Sequence, residues 1–557
     1  MLSNTIKTEY RRWIDNVTDS NIHNELIHLD NQQIEDAFFK ELSFGTGGLR
    51  GIMGAGTNRM NCYTVSRASQ GVADYLNSKF QTPSVAVSYD SRINSRFFSE
   101  IVCSVLAANG IKVWIYEQLM PTPCLSYAVR SLGCSAGIMI TASHNPAEYN
   151  GYKVYGCDGC QITDQAAKDI QNEINKLDYF KDVKTTGFED ALNNKTVEYI
   201  DDSVVASFFE SVENQSVLYG DKQDKSVSIV YSPLNGTGLV PVTSILEKNG
   251  YNRVVLVEEQ KDPDGRFPTC RCPNPEEIEA LELGLEYCKT NNADLLVATD
   301  PDCDRCGIAV RSGSGYRLLS GNETGILLLD YICHQRSKHG MMPDNPVFIK
   351  TIVTTDLAEK IADYYGVKTV NVLTGFKYIG EYIGKLEDEN REKDFIFGFE
   401  ESYGYLTGTY VRDKDAVNAV FIICEMLSYY RFNKISIEER LEQLYQQFGY
   451  ALNTLKTYKF EGITGMQKMT SIMNRFRTLD NIGVFNIKQN IDYFNDIIEG
   501  LPKSNVIKLF IENASIVIRP SGTEPKLKIY LSISASDEIQ AQSIERQIDE
   551  ALKAYLS

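Results

Sequence analysis

One order of elements occurs three times along the first 400 residues, and this recurrence constrains the fold more than any single segment. Apolar runs at 84–90, 111–116 and 137–140 read as strands, with helical periodicity at 95–109 and 124–132 between them. The order returns with strands at 227–231, 253–257 and 294–300 and helices reaching Lys248 and spanning 276–290. It returns again with strands at 347–350, 369–373 and 395–399 and helices at 356–365 and 378–386. Side chains do not repeat, yet in each round the last strand runs into a distinctive polar loop. Ligands in open α/β sheets gather beyond such strand ends. The final hundred residues differ, with strands at 515–518 and 527–533 flanking a turn and an amphipathic helix at 537–556. The expectation is an α/β protein with three similar α/β domains, mixed sheets and a smaller C-terminal α+β domain around a central cleft. Its divisions fall at 1–199, opened by leading helices over 1–40, then 200–319, 320–455 and 456–557.

The 557-residue chain has a net charge of −18, which argues against non-specific binding to nucleic acid or to an anionic membrane. A local basic pocket can still hold a phosphate. The N-terminus lacks the apolar stretch of a signal peptide, and no run approaches the roughly 20 apolar residues of a membrane span. A cytoplasmic location is expected. Thirteen cysteines include Cys157-x-x-Cys160 and Cys303-x-x-Cys306, but isolated pairs are a weak zinc signal, and free thiols are favoured.

The three loops carry the chemistry. The first, Thr141-Ala-Ser143-His144-Asn145-Pro146, puts a serine at the end of a buried strand with a histidine beside it, which invites a nucleophile; a plain Ser/Asn/Pro turn is the alternative. The second, Asp300-Pro-Asp302-Cys-Asp304-Arg305, aims three carboxylates from one short loop, a hard-oxygen set suited to Mg²⁺, unless it is a solvated acidic turn. The third, Glu400-Glu-Ser402-Tyr-Gly404, offers acceptors and donors for sugar hydroxyls. Thr374-Gly375-Phe376-Lys377 adds a lysine at another strand end. Arg519-Pro-Ser521-Gly522-Thr523, followed by Lys528, has the inventory of a phosphate clamp. Phe44-Gly-Thr-Gly-Gly-Leu-Arg50-Gly51 reads as a glycine-rich loop that brings backbone amides and Arg50 to an anion.

TASHNPAEYNGYKVY, DPDCDR, FEESYG and RPSGT, in that order, resemble the α-D-phosphohexomutase superfamily, and FGTGGLRG and TGFKYIG place the resemblance in its phosphoglucomutase and phosphopentomutase branch. It covers nearly all of residues 40–557. The resemblance implies that Ser143 carries a phosphoryl group and joins Asp300, Asp302 and Asp304 in holding Mg²⁺. It implies sugar contacts from Glu400, Ser402, Thr374 and Gly375, and a clamp of Arg519, Ser521, Gly522, Thr523 and Lys528 on the non-reacting phosphate. Arg50, His144, Arg305 and Lys377 match charged catalytic positions, and which of them is the general base stays open. Asn235, Cys270 and Cys272 depart from the family pattern, outside the core motifs. The implied activity interconverts glucose 1-phosphate and glucose 6-phosphate through a phosphoserine and glucose 1,6-bisphosphate, the bisphosphate also serving as activator. Pentose and mannose phosphates remain alternatives, as do a Mg²⁺ phosphatase and a non-catalytic homologue. The expected partners are small sugar phosphates, with the chain a monomer or weak dimer.

Overall fold

The computed structural model describes residues 2–45, 47–460, 462–498, 500–520 and 526–556. It holds four main sheets. In the first, the parallel strands Ala136–Ile140, Ser84–Tyr89, Lys112–Ile115 and Val197–Tyr199 lie side by side. In the second, Leu295–Thr299, Ile229–Ser232 and Val254–Leu256 are parallel. In the third, Lys368–Val372, Val347–Thr351 and Phe395–Glu400 are parallel.

The same departure from parallel pairing occurs in all three sheets. The strand before each polar loop is followed by an antiparallel neighbour: Tyr149–Gly156 after Ala136–Ile140, Cys306–Ser312 after Leu295–Thr299, and Gly404–Leu406 after Phe395–Glu400. Each polar loop is therefore the reversal between a buried parallel strand and its returning partner. Both ends of the loop are pinned by ladder hydrogen bonds, which holds its polar side chains at one edge of the sheet.

The glycine-rich stretch at 45–51 differs from the loop expected of it. Gly48–Ile52 is a strand, antiparallel to Tyr149–Gly156 at the edge of the first sheet. A Cβ on Gly48 would lie 1.9 Å from the Tyr152 carbonyl oxygen, so that glycine serves close strand approach. Arg50 projects from this strand and is exposed.

The leading residues form helices Asn4–Asn16, Ser20–His28 and Asn31–Phe38. Fully buried Trp13 fixes them, meeting Phe38, Tyr63, Tyr179 and Phe180 edge-on at 5.3–5.7 Å between ring centroids. The last sheet is antiparallel throughout, in the order Tyr450–Lys459, Lys526–Ala535, Ala514–Pro520, Ile507–Ile511, Gln489–Asp492. Its first strand crosses the 455/456 division drawn from the sequence. Ile352, Val353 and Leu373 of the third unit pack on Tyr493, Val506, Val517 and Tyr530 of the last, so an apolar contact seats one on the other.

Candidate active site

The three loops and the last sheet meet around a cleft of about 690 Å³, lined among others by His144, Arg305, Thr374, Gly375, Lys377, Glu400, Ser402, Arg519 and Lys528. Ser143 and the acidic loop come together at its edge. Ser143 Oγ donates to Asp300 Oδ2 at 2.8 Å and lies 3.2 Å from His144 Nδ1. Ser143 is almost fully buried.

Much of the serine loop's shape comes from a residue that the sequence reading passed over. The buried guanidinium of Arg92 donates to the carbonyl oxygens of Pro146 at 2.9 Å, Tyr149 at 3.0 Å, Ser143 at 2.5 Å and also Asn145. Asp90 accepts from Thr141 Oγ1 at 2.6 Å, and that hydroxyl in turn accepts from the Ser143 amide at 2.8 Å. Arg50 Nη1 closes the outer side on Asn145 Oδ1 at 3.1 Å. Backbone conformation shows the tension in these turns. Ser143, Cys303 and Tyr403, one in each loop, adopt φ of 52°, 52° and 64°.

Asp300, Asp302 and Asp304 are buried, each with one oxygen within 4.8 Å of the others'. Asp300 is held by the amides of Asp304 and Arg305 at 3.1 and 3.0 Å. Asp302 Oδ1 and Asp304 Oδ1 are buried without a hydrogen-bond partner among the described residues. Burial and mutual repulsion push Asp300 and Asp304 above the usual carboxylate range. Burial works the same way on Asp302, but the ammonium of Lys153 overrides it and holds the group low. Two orphaned oxygens in a hard, crowded anionic pocket fit a small divalent cation.

Two lysines answer this charge. Lys153 Nζ lies 2.7 Å from Asp302 Oδ2 and 3.6 Å from Asp304 Oδ2, and Lys414 Nζ lies 3.2 Å from Asp304 Oδ2 and 3.1 Å from Asp413 Oδ1. Neither was singled out from sequence. The available signal was a charged residue at an inward position of the strand after the serine motif, and the dense charge run Arg412-Asp-Lys-Asp415 before an apolar helix.

His144 is pushed well below its ordinary pKa by burial and by the guanidiniums of Arg305 and Arg50, so its imidazole is neutral near pH 7. A bound cation would push it the same way. Lys377 is committed elsewhere, its Nζ 2.8 Å from Asp164 of the first unit. Burial raises Glu400, against Lys414 and Arg305. Thr374 Oγ1 is buried without a partner among the described residues, and Gly375, at φ 120°, has open space where a Cβ would point.

Arg519 and Lys528 stand directly opposite each other on antiparallel strands. Burial first, and Arg519 next, lower the Lys528 pKa. Like charges so paired oppose one another, and a shared anion would relieve them. Ser521, Gly522 and Thr523 lie outside the described residues.

Models of the four phosphoglucomutase/phosphomannomutase domains match this chain in order: the alpha/beta/alpha domains I, II and III at residues 41–181, 206–313 and 320–448, and the C-terminal domain at 482–551. The chain belongs to the phosphoglucomutase/phosphomannomutase family. The phosphoglucomutase of Staphylococcus saprophyticus is 36% identical over 546 residues, covering 95% of this chain and 98% of its own. That of Staphylococcus aureus is 36% identical over 556 residues, with 96% and 98% covered. Within the family the fold is close to that of the Paramecium phosphoglucomutase pp63/parafusin, with a TM-score of 0.69 at 19% identity over 92% of this chain and 95% of that one. The leading helices precede the first family domain, and the apolar seat of the C-terminal domain lies on domain III.

Proposed function

We propose that this chain interconverts glucose 1-phosphate and glucose 6-phosphate, with Ser143 as the residue that carries the phosphoryl group. The observation that carries the proposal is the meeting of Ser143 Oγ with Asp300 at 2.8 Å, across two domains, at the edge of a cleft that the opposed Arg519 and Lys528 also line. The glucose preference follows the relatives named phosphoglucomutase at 36% identity over nearly the whole chain.

In this reading Arg519 and Lys528 grip the non-reacting phosphate and leave the sugar's free hydroxyl facing phosphorylated Ser143. The sugar oxygen takes the phosphoryl group as the bond to Ser143 Oγ breaks. The hydroxyl proton passes to a neutral base. His144 suits that role better than Lys377, because Lys377 already holds Asp164 as an ion pair. The bisphosphate so formed turns over in the cleft and returns its other phosphoryl group to Ser143. Mg²⁺ held by Asp300, Asp302 and Asp304 would supply charge neutralisation for the transferring group. Glu400 and Ser402 hold sugar hydroxyls from domain III, and the bisphosphate doubles as the activator that primes Ser143.

A turnover panel of glucose, mannose, ribose and glucosamine 1-phosphates, each with its bisphosphate, tests the reading. Glucose 1-phosphate should be the preferred substrate, with isomerisation exceeding phosphate release. Ser143→Ala should abolish turnover, and intact-mass spectrometry of the primed wild type should place a phosphate on Ser143. Net hydrolysis without isomerisation, or sustained turnover by the alanine variant, would overturn the proposal.

A further inference from the structure

Arg305 follows the acidic loop and lies among more anionic groups than it contacts. Its backbone amide donates to Asp300 Oδ1 at 3.0 Å, and the fields of Glu276, Asp304, Asp300 and Glu400 act on its guanidinium. Among the described residues the side chain nevertheless makes one close ion pair, Nη1 to Glu276 Oε1 at 2.6 Å. Its Nε is buried with no partner among the described residues. Both residues line the cleft.

Glu276 sits on a segment built to stay in place. It closes Pro273-Asn274-Pro275-Glu276, where two prolines fix φ around a nearly buried Asn274. Asn274 Oδ1 accepts from the Glu276 amide at 3.2 Å, and the Asn274 carbonyl accepts from the Glu277 amide at 2.9 Å. The Pro275 carbonyl oxygen lies 2.5 Å from where a Cβ on Gly307 would be, so the segment rests on the strand that leaves the acidic loop. Glu276 is therefore referenced to the strand that Arg305 immediately precedes.

We infer that Glu276 is a positioning residue that holds Arg305 off the acidic triad and keeps its remaining donors directed at the cleft. The argument is one of competing attractions. A guanidinium released beside the triad would swing onto Asp304, whose Oδ1 is unfilled, where it would compete with a divalent cation. Glu276, at 2.6 Å, supplies a nearer carboxylate. This rests on the mutase reading for its consequence in catalysis, but its direct consequence is a change in cation affinity.

The test is a double-mutant cycle on Glu276→Ala and Arg305→Ala, with Mg²⁺ affinity measured by titration calorimetry and turnover measured in parallel. Glu276→Ala should weaken Mg²⁺ binding about tenfold, as expected when a mobile cation competes for the same carboxylates. Adding Arg305→Ala should restore the affinity while turnover stays low, because the competitor is gone along with a cleft donor. Glu276→Gln, which keeps the shape and an acceptor, should fall between wild type and Glu276→Ala, and it replaces the alanine variant if that variant fails to fold. Unchanged Mg²⁺ affinity in both Glu276 variants, or a loss that persists in the double variant, would overturn the inference. A wild type that binds Mg²⁺ but isomerises no sugar phosphate would sink the mutase reading and leave the calorimetric cycle to judge Glu276. A wild type that binds no Mg²⁺ would count against both.

Discussion

Replacing Lys528 by methionine should make the unliganded protein more stable and the enzyme worse. Lys528 faces Arg519 directly across the strand pair, and burial adds to the repulsion between them. Relief of a directly opposed like-charge pair is worth about 0.2–1 kcal/mol. Methionine keeps the apolar stem, so packing should change little. The gain should depend on pH in a defined direction. The folded-state pKa of Lys528 lies below its unfolded value, so its protonation opposes folding. The advantage of the variant is therefore greatest where the lysine is charged in both states and vanishes above about pH 10.4, the unfolded pKa. Function should move the other way. Loss of one charge-assisted contact to phosphate costs about 1.5–3 kcal/mol, or one to two decades in kcat/KM. Both glucose 1-phosphate and glucose 6-phosphate should suffer, since in the proposed mechanism each would present its non-reacting phosphate to the same clamp. Thermal unfolding at pH 7 and pH 10, with and without inorganic phosphate, and steady-state kinetics in both directions provide the assay. A variant that is less stable at pH 7, or one that loses only one substrate, would refute the reasoning.

Two further outcomes bear on the serine and acidic loops. Mg²⁺ should raise the melting temperature of the wild type and Asp302→Asn should abolish that rise, and chelation of the wild type should stop turnover; activity that survives chelator would remove the metal from the account. Arg92→Lys should collapse activity almost as far as Arg92→Met, because an ammonium cannot serve four carbonyl oxygens that a planar fork serves; hydrogen exchange should show the 141–149 segment losing protection in both.

The strand–helix alternation was legible because apolar runs and helical periodicity survive in the sequence, and the polar loops stand out at the ends of those runs. The returning antiparallel strands were not. Tyr149–Gly156 carries the end of a loop motif, and Gly48–Ile52 carries so many glycines that close strand pairing cannot be told from a flexible turn. The long helices Gly321–Lys338 and Ala416–Phe432 are buried on nearly every side, so they lack the one-sided periodicity that marks a surface helix. In the site, residues on short motifs could be named, whereas Arg92, Lys153, Lys414 and Glu276 act through partners far away in sequence. Their pairing belongs to the assembled sheets, and nothing local distinguishes them from unpaired surface charges.

The three left-handed residues, Ser143, Cys303 and Tyr403, bear on how a protein like this would respond to selection for heat resistance. Glycine would accept each of these conformations with less steric cost, by about 1 kcal/mol per position. At Cys303 and Tyr403 the lost packing outweighs that relief, so a screen that scores only survival at high temperature would be drawn to Ser143, where little side chain is lost, and would discard the proposed phosphoryl carrier. Thermostable descendants of this chain would then arise most readily among those that had ceased to turn over sugar phosphates, unless activity were scored in the same round.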